Sequence, residues 1–505
     1  MPKATLTVQN ARSKIEGLRP EAFKLLSYEL AYPVAEPGQR VYPQRDGSAK
    51  VVHWDGFARL LRKTGQFPSG LVPRVIRLLR KWRIGVEIRD ARKRPAEAVP
   101  RWSFADGFQL RDYQAEACER GIQMTRGVFD SPPRTGKTVM MAEMARQVAD
   151  TTVITAPTVP IAKQTHEKLL ELLVRHGEGW SKVDADYEIQ LLTGGPPKSQ
   201  KARRQLLRAV ITVCTAETAT AMSKTWWGKV RCLMVDERHH QAALKTYGKM
   251  NDLAVEAFWR WGFTGTNFRS NPLEQVALEA CLGRTVASYS IGDMRRRGVL
   301  VPGQVRFVAF QTPRIGASVD FQGAYERGVT RCQSRNEAVA REAVQLQREG
   351  RKVLVLVQRL EHGERLENLI PGSKFVQADD GDEVRKVVED LDRGELTCVI
   401  GSPVVGEGLD IPSADALIYA KGMKARVTHT QDTFRVLTGG AGKEDAVVVD
   451  FLDRHNAKLI EHAIERMRNY HAMGMEVTVD NQGGQQSPYT QLGFGLDGGS
   501  MDNNT

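Results

Sequence analysis

Two series of short, continuously apolar segments alternate with stretches of helical periodicity along this chain. The first comprises GVFDS at 127–131, TTVITA at 151–156, AVITVCT at 209–215, RCLMVDE at 231–237 and WRWGFTGT at 259–266. The second comprises KVLVLVQ at 352–358, KFVQAD at 374–379, LTCVIGS at 396–402, ALIYAK at 416–421 and DAVVVDF at 445–451. A strand apolar at every residue is buried on both faces, and parallel strands need a crossover that a helix can supply. The pattern therefore predicts an α/β fold with two successive parallel sheets covered by helices. No internal repeat links the two series, which share only their type.

Around these sheets the composition changes. The chain has 505 residues and a net charge of +12. Residues 1–105 hold 21 Lys+Arg and 9 Asp+Glu, which leaves 51 of each sign in 106–505 and places the whole surplus in the first fifth. No acidic residue lies between Asp55 and Glu87, where Arg59, Arg62, Lys63, Arg74, Arg77, Arg80, Lys81 and Arg83 fall. Val72, Val75, Ile76 and Leu79 recur at helical spacing, with Arg74, Arg77 and Lys81 on the other side. IGVEIRD at 84–90 alternates as a strand does. We expect a small basic α+β domain over 1–105, sheet domains over 106–290 and 335–480, a connector over 291–334 and a disordered Gly/Asn/Gln-rich tail over 481–505. A basic field of this kind suits a polyanion, although a solvated basic face has the same composition. No apolar run reaches the length of a membrane helix, and the N-terminus lacks a secretory core. Six scattered cysteines without a C-x-x-C pair point away from a disulfide framework or zinc module and toward a reducing compartment.

The strongest local signal is Ser131-Pro132-Pro133-Arg134-Thr135-Gly136-Lys137-Thr138, between the GVFD strand and the helix VMMAEMARQVA. Backbone N–H groups at a helix N-terminus, a lysine and a hydroxyl are what a magnesium-bound polyphosphate requires. Gly136 supplies the last glycine of the loop, Lys137 and Thr138 supply those two side chains, and Ser131 stands where the general pattern has its first glycine. Asp236 and Glu237 follow the apolar strand CLMV. One carboxylate at that place can hold Mg²⁺ together with Thr138, and a second can orient or deprotonate an attacking water. His239 adds a weaker candidate.

In this order the motifs resemble those of superfamily 2 helicases. Upstream, Leu110-Arg111-Asp112-Tyr113-Gln114 is similar to the adenine-side element, with Gln114 as base reader. The resemblance implies nucleotide binding by Gln114, Arg134, Thr135, Gly136, Lys137, Thr138 and Asp410, and catalysis by Lys137, Asp236, Glu237 and Arg435. The segment from Ala156 to Thr165 resembles the nucleic-acid-contacting motif after the second strand and brings Thr158 and Gln164. The smaller backbone-contacting elements are Thr193-Gly194-Gly195 and Thr215-Ala216-Glu217. Gly262-Phe263-Thr264-Gly265-Thr266 is similar to the coupling motif, with His239 and Gln431 implied in the same role. Gly406 to Asp410 and Gln431 to Arg435 resemble the fifth and sixth motifs. The basic leader, the LRDYQ element, FTGT and GEGLDIP together resemble the XPB/UvsW type. That resemblance implies two tandem RecA-like domains that clamp ATP, Mg²⁺ as cofactor and DNA as partner. The DNA would be single-stranded or branched and held mainly by its backbone, with Arg74, Arg77, Arg80 and Lys81 gripping from the N-terminal domain. It also implies a cytoplasmic, nucleoid-associated protein of a bacterium or a phage-infected cell, with a role in repair, recombination or replication.

Four positions depart from the family pattern, one being Phe434, which stands where the sixth motif has a glycine before its arginine. Arg134 replaces a loop glycine, Asn267 follows FTGT in place of proline, and Thr438 stands where the sixth motif carries a further arginine. The readings left open are a helicase that separates strands, a duplex translocase that does not, and an ATP-switched DNA-binding scaffold.

Overall fold

Side chains that cannot face water decide where the strands lie. A computed structural model describes residues 4–33, 38–43, 49–96, 99–100, 102–105, 107–175, 187–236, 243–265, 272–377, 381–402, 411, 413–440 and 442–480. Thr152–Ala156, Ile211–Thr215, Cys232–Val235, Val353–Leu356, Cys398–Gly401 and Ala416–Tyr419 are buried at every residue. The chain divides into two compact units, Met1–Ser131 with Gly136–Ser288 and Pro132–Thr135 with Tyr289–Thr505.

The first unit carries a seven-stranded sheet. In chain order its strands are Arg126–Asp130, Thr152–Ala156, Ile189–Leu192, Ile211–Thr215, Cys232–Val235, Trp259–Thr264 and Thr285–Ser288. The second unit's sheet is built from Gly303–Val308, Val353–Leu356, Ser373–Val376, Cys398–Gly401, Ala416–Tyr419, Ala446–Phe451 and Glu476–Asp480. Numbered from each sheet's first strand, both run 3-4-2-5-6-1-7, and all neighbours are parallel. Two sequences without a detectable repeat thus fold to one topology, that of tandem RecA-like domains. Gly303–Val308, within the stretch read as a connector, is an interior strand of the second sheet.

Core packing follows from the strands. Phe129 and Phe263, on neighbouring strands of the first sheet, stack with ring centroids 4.9 Å apart. The N-terminal region forms a four-stranded sheet in the order Gln66–Pro68, Arg12–Glu16, Ala4–Val8, Val86–Asp90. Its helix Val72–Lys81 buries Val75 and Leu79, as the spacing predicts, and Leu78 besides, while Val72 and Ile76 are half-buried. That core is not closed on itself, since Val276 and Ala280 of the helix Pro272–Leu282 belong to it. Gly70 makes the approach possible: a Cβ there would meet the Glu279 carbonyl oxygen at 2.0 Å. All six cysteines are free, and among the described residues no helix is long and apolar enough to cross a membrane.

Candidate nucleotide and nucleic-acid sites

In a parallel sheet, ligands bind beyond the carboxyl ends of the strands. At that edge of the first sheet, strands 2, 5, 6 and 1 are consecutive neighbours. Their ends bring together Ala156, Asp236, Thr264 and the loop that starts at Ser131. Backbone hydrogen bonds tie the ends: Asp236 N–H donates to the Thr155 carbonyl at 2.8 Å, and Ser131 N–H to the Thr264 carbonyl at 3.0 Å. The loop read as a phosphate cradle and the Thr264 motif are therefore joined directly.

The loop reaches its helix, Lys137–Val148, through two left-handed residues, Arg134 at φ 66° and Gly136 at φ 77°. Arg134, the departure from the glycine pattern, thus adopts the conformation a glycine would take there at less steric cost. Thr135 is fully buried, and its hydroxyl donates to the Pro132 carbonyl at 2.8 Å, so it braces the turn from inside. Lys137 and Thr138 open the helix as partly exposed residues, whereas Met140, Met141, Met144, Ala145 and Val148 anchor the rest in the core.

Gln114 comes to this loop from the helix Asp112–Met124. Its Oε1 accepts from the Arg111 N–H at 3.0 Å, and its Nε2 donates to the Tyr113 hydroxyl at 3.4 Å. A Cβ on Gly136 would lie 2.3 Å from Gln114 Nε2. Only glycine at 136 lets the amide approach the loop backbone that closely. Tyr113 is buried and orients the amide; its place in the LRDYQ element was the one signal for it, and its role was not read from the sequence.

The expected nucleic-acid contacts fall into three situations. Thr158 caps the helix Val159–Leu172, accepting from the Ile161 N–H at 3.5 Å, and Gln164 is exposed on that helix. Gly194 and Gly195 follow an edge strand at φ 75° and 95°, with open space where a Cβ would stand. Thr215 is buried, and its hydroxyl is occupied in capping a short helix, accepting from Thr218 N–H at 3.3 Å and donating to Thr218 Oγ1 at 3.1 Å. In the N-terminal region Arg74 is engaged by Glu279 at 2.7 Å. Arg77, Arg80 and Lys81 are exposed on the same helix, with no side-chain partner among the described residues. The cationic face is therefore three residues wide.

In the second unit, Gln431 and Arg435 lie one turn apart on the helix Arg426–Leu437. Asp432 stands between them, accepting from Lys421 Nζ at 2.7 Å and facing Arg435 Nε at 3.5 Å. The Thr438 hydroxyl returns to the Phe434 carbonyl at 3.2 Å and ends that helix. Glu237, His239, Thr266, Asn267 and Asp410 lie outside the described residues, as does the tail 481–505.

The family model described as "Type III restriction enzyme, res subunit" matches residues 107–269. The ATP-dependent DNA helicase uvsW of Enterobacteria phage T4 is 21% identical over 83% of this chain and 88% of its own. The DNA 3'-5' translocase XPB2 of Sulfurisphaera tokodaii is likewise 21% identical, over 71% of this chain and 85% of its own. Over these spans the chain is similar to DNA helicases and translocases of the XPB and uvsW kind. Among solved structures, a fragment of an HsdR subunit of a type I restriction enzyme from Vibrio vulnificus shares the fold. Its TM-score is 0.52 at 14% identity, with 91% of this chain and 82% of that one covered.

Proposed function

We propose that the protein is an ATP-dependent motor that moves on and remodels DNA in repair, recombination or replication. The observation that carries this reading is the joined edge of the first sheet. Gly136 admits Gln114 to the loop, Ser131 binds the Thr264 strand, and Asp236 ends the strand beside it. A left-handed glycine before a buried helix leaves N–H groups for phosphate, and Lys137 supplies the charge. The donor set suits Mg²⁺: Thr138 and Asp236 would hold it, and it would neutralise charge on the phosphates. Arg435 serves on this reading as the finger that stabilises the transferring phosphoryl group, and Glu237 as the water-orienting carboxylate. DNA is held mainly through its backbone, so binding falls steeply with salt.

The test is ATP hydrolysis titrated against single-stranded DNA, duplex, branched DNA and RNA at fixed salt, for the wild type and Lys137→Ala. DNA-stimulated turnover lost in the variant supports the reading; unchanged turnover in the variant overturns it. One observation favours a second reading. Thr438 caps its helix where the family pattern has an arginine, which suits a protein that binds ATP and DNA as a switch. Multiple turnovers per chain would exclude that alternative.

A further inference from the structure

Within the first unit, the strand whose end leads into the loop at Ser131 begins at Arg126. Five residues of parallel strand separate the two ends, roughly 15 Å. At the Arg126 end lies a cavity of about 400 Å³, bounded by the N-terminal sheet on one side and the start of the large sheet on the other. Its charged lining is Arg92, Arg126, Arg284 and Asp90. Asp90 is fully engaged by Arg92, accepting from Nε at 2.9 Å and from Nη2 at 2.7 Å. Arg126 and Arg284 have no carboxylate partner among the described residues, so the lining carries a net charge of +2 that the fold leaves unneutralised.

Arg126 is the telling residue. Its Nη2 donates to the Asn10 carbonyl, while Nη1 is buried without a hydrogen-bond partner. Its charge is opposed first by burial and then by the Arg260 and Arg92 guanidiniums; Arg260 is its register neighbour on the adjoining strand. An arginine does not relieve such a position by losing its proton. The backbone is shaped around this side chain. Gly283, at φ 96°, lies where a Cβ would come within 2.9 Å of Arg126 Cγ. Gly283 thus makes room for a cation that the protein itself does not pair.

We propose that this cavity binds a phosphate-class anion, held by Arg126 and Arg284 at the end of the sheet opposite the Ser131 loop. A phosphate accepts from several donors at once and matches the planar fork of a guanidinium. The group has two sources, a free polyphosphate or a phosphate of the DNA backbone, and the experiment separates them. The inference does not depend on the nucleotide reading of the Ser131 loop.

The full chain carrying Lys137→Ala, which removes the lysine of the other anion-binding loop, is titrated with inorganic pyrophosphate by calorimetry and with a short DNA duplex by fluorescence anisotropy. The same titrations are run with Arg126→Gln or Arg284→Glu added. Loss of a charge-assisted contact weakens binding by about tenfold. A tenfold loss in the pyrophosphate arm assigns the site to a free anion. A loss confined to the duplex arm assigns it to a backbone phosphate. Arg284 is exposed, so Arg284→Glu folds even where Arg126→Gln does not. If Arg284→Glu changes neither titration, the site does not exist.

Discussion

Beyond strands 1, 5 and 6 of the first sheet the next residues are Ser131, Asp236 and Gly265; beyond the same strands of the second they are Ala309, Ala420 and Leu452. One strand order thus presents polar and flexible residues at one edge and apolar ones at the other. The charges of the second unit lie deeper and neutralise one another. Arg335 Nε meets Asp453 at 2.7 Å, and Arg466 meets Asp450 at 2.9 Å and Asp453 at 3.1 Å, all with fully buried side chains. Burial raises the Asp453 carboxyl, but Arg335 and Arg466 outweigh it and hold the group below the usual range. Lys421 and Asp432 form a fourth buried pair. His429 packs between the Tyr419 and Tyr470 rings, at 4.8 and 4.4 Å, with neither nitrogen bonded. Topology therefore provides the edge, and the residue types placed at it differ between the two sheets.

The largest effect that would test this contrast is in the ion network. Arg466→Met leaves Asp450 and Asp453 short of a buried partner and should destabilise the second unit by about 3–5 kcal/mol. Hydrogen exchange read separately on each sheet should show the loss in the second alone; a fall of equal size in both would refute independent neutralisation. Next comes Gly136→Ala, which forces a left-handed alanine against Gln114 and should cost about 1–2 kcal/mol locally. Nucleotide affinity should drop accordingly, and adding Gln114→Ala should recover part of it. No recovery would mean that the close approach of Gln114 is not what requires glycine.

A smaller, pH-dependent effect comes from His362, which burial, then Arg335, holds down to about 3. The unfolded chain binds this proton near 6.5 and the folded one does not, so stability is complete above that value. It declines as pH falls toward 3, by at most about 1.4 kcal/mol per pH unit. His362→Gln, which can still hydrogen-bond Asn336, should flatten the urea-midpoint slope between pH 7 and 5. An unchanged slope would assign the dependence elsewhere, with His429, also held well below 6.5, the next group to test. The smallest effect is on the N-terminal helix. Arg77→Ala should lower the salt slope of DNA binding by about one phosphate contact with stability unchanged, whereas Arg74→Ala should leave the slope alone. Equal slopes for the two variants would erase the distinction drawn from Glu279.

The central strands were legible because each carries a run of apolar residues, and a chain segment of that kind has one place to go. Of the four outer strands only Ser373–Val376 was, from KFVQAD at 374–379. Ile189–Leu192, Thr285–Ser288 and Glu476–Asp480 are short and partly exposed, and edge strands lack the two-sided burial that gives a continuous apolar signal. Gly303–Val308 lies in a stretch read as a connector with some strand character, and its alternation of buried and exposed residues is that character. At the candidate site, the residue types of the loop and the position of Gln114 before the first strand were visible in order. What sequence order cannot show is long-range pairing. Arg74 meets Glu279 across 205 residues and Arg335 meets Asp453 across 118. The Thr215 hydroxyl caps the short helix that follows it.

The 3-4-2-5-6-1-7 order also sets when each sheet can assemble on a growing chain. Arg126–Asp130 pairs only with Trp259–Thr264 and Thr285–Ser288, so its first partner is made about 130 residues later. Gly303–Val308 waits similarly for Ala446–Phe451 and Glu476–Asp480. Contacts so distant in sequence fold slowly, because the loop entropy is lost before any pairing is gained. During synthesis the loop that begins at Ser131 therefore emerges directly behind the first strand of its sheet, and Ser131 gains its bond to that sheet only once the strand ending at Thr264 has arrived.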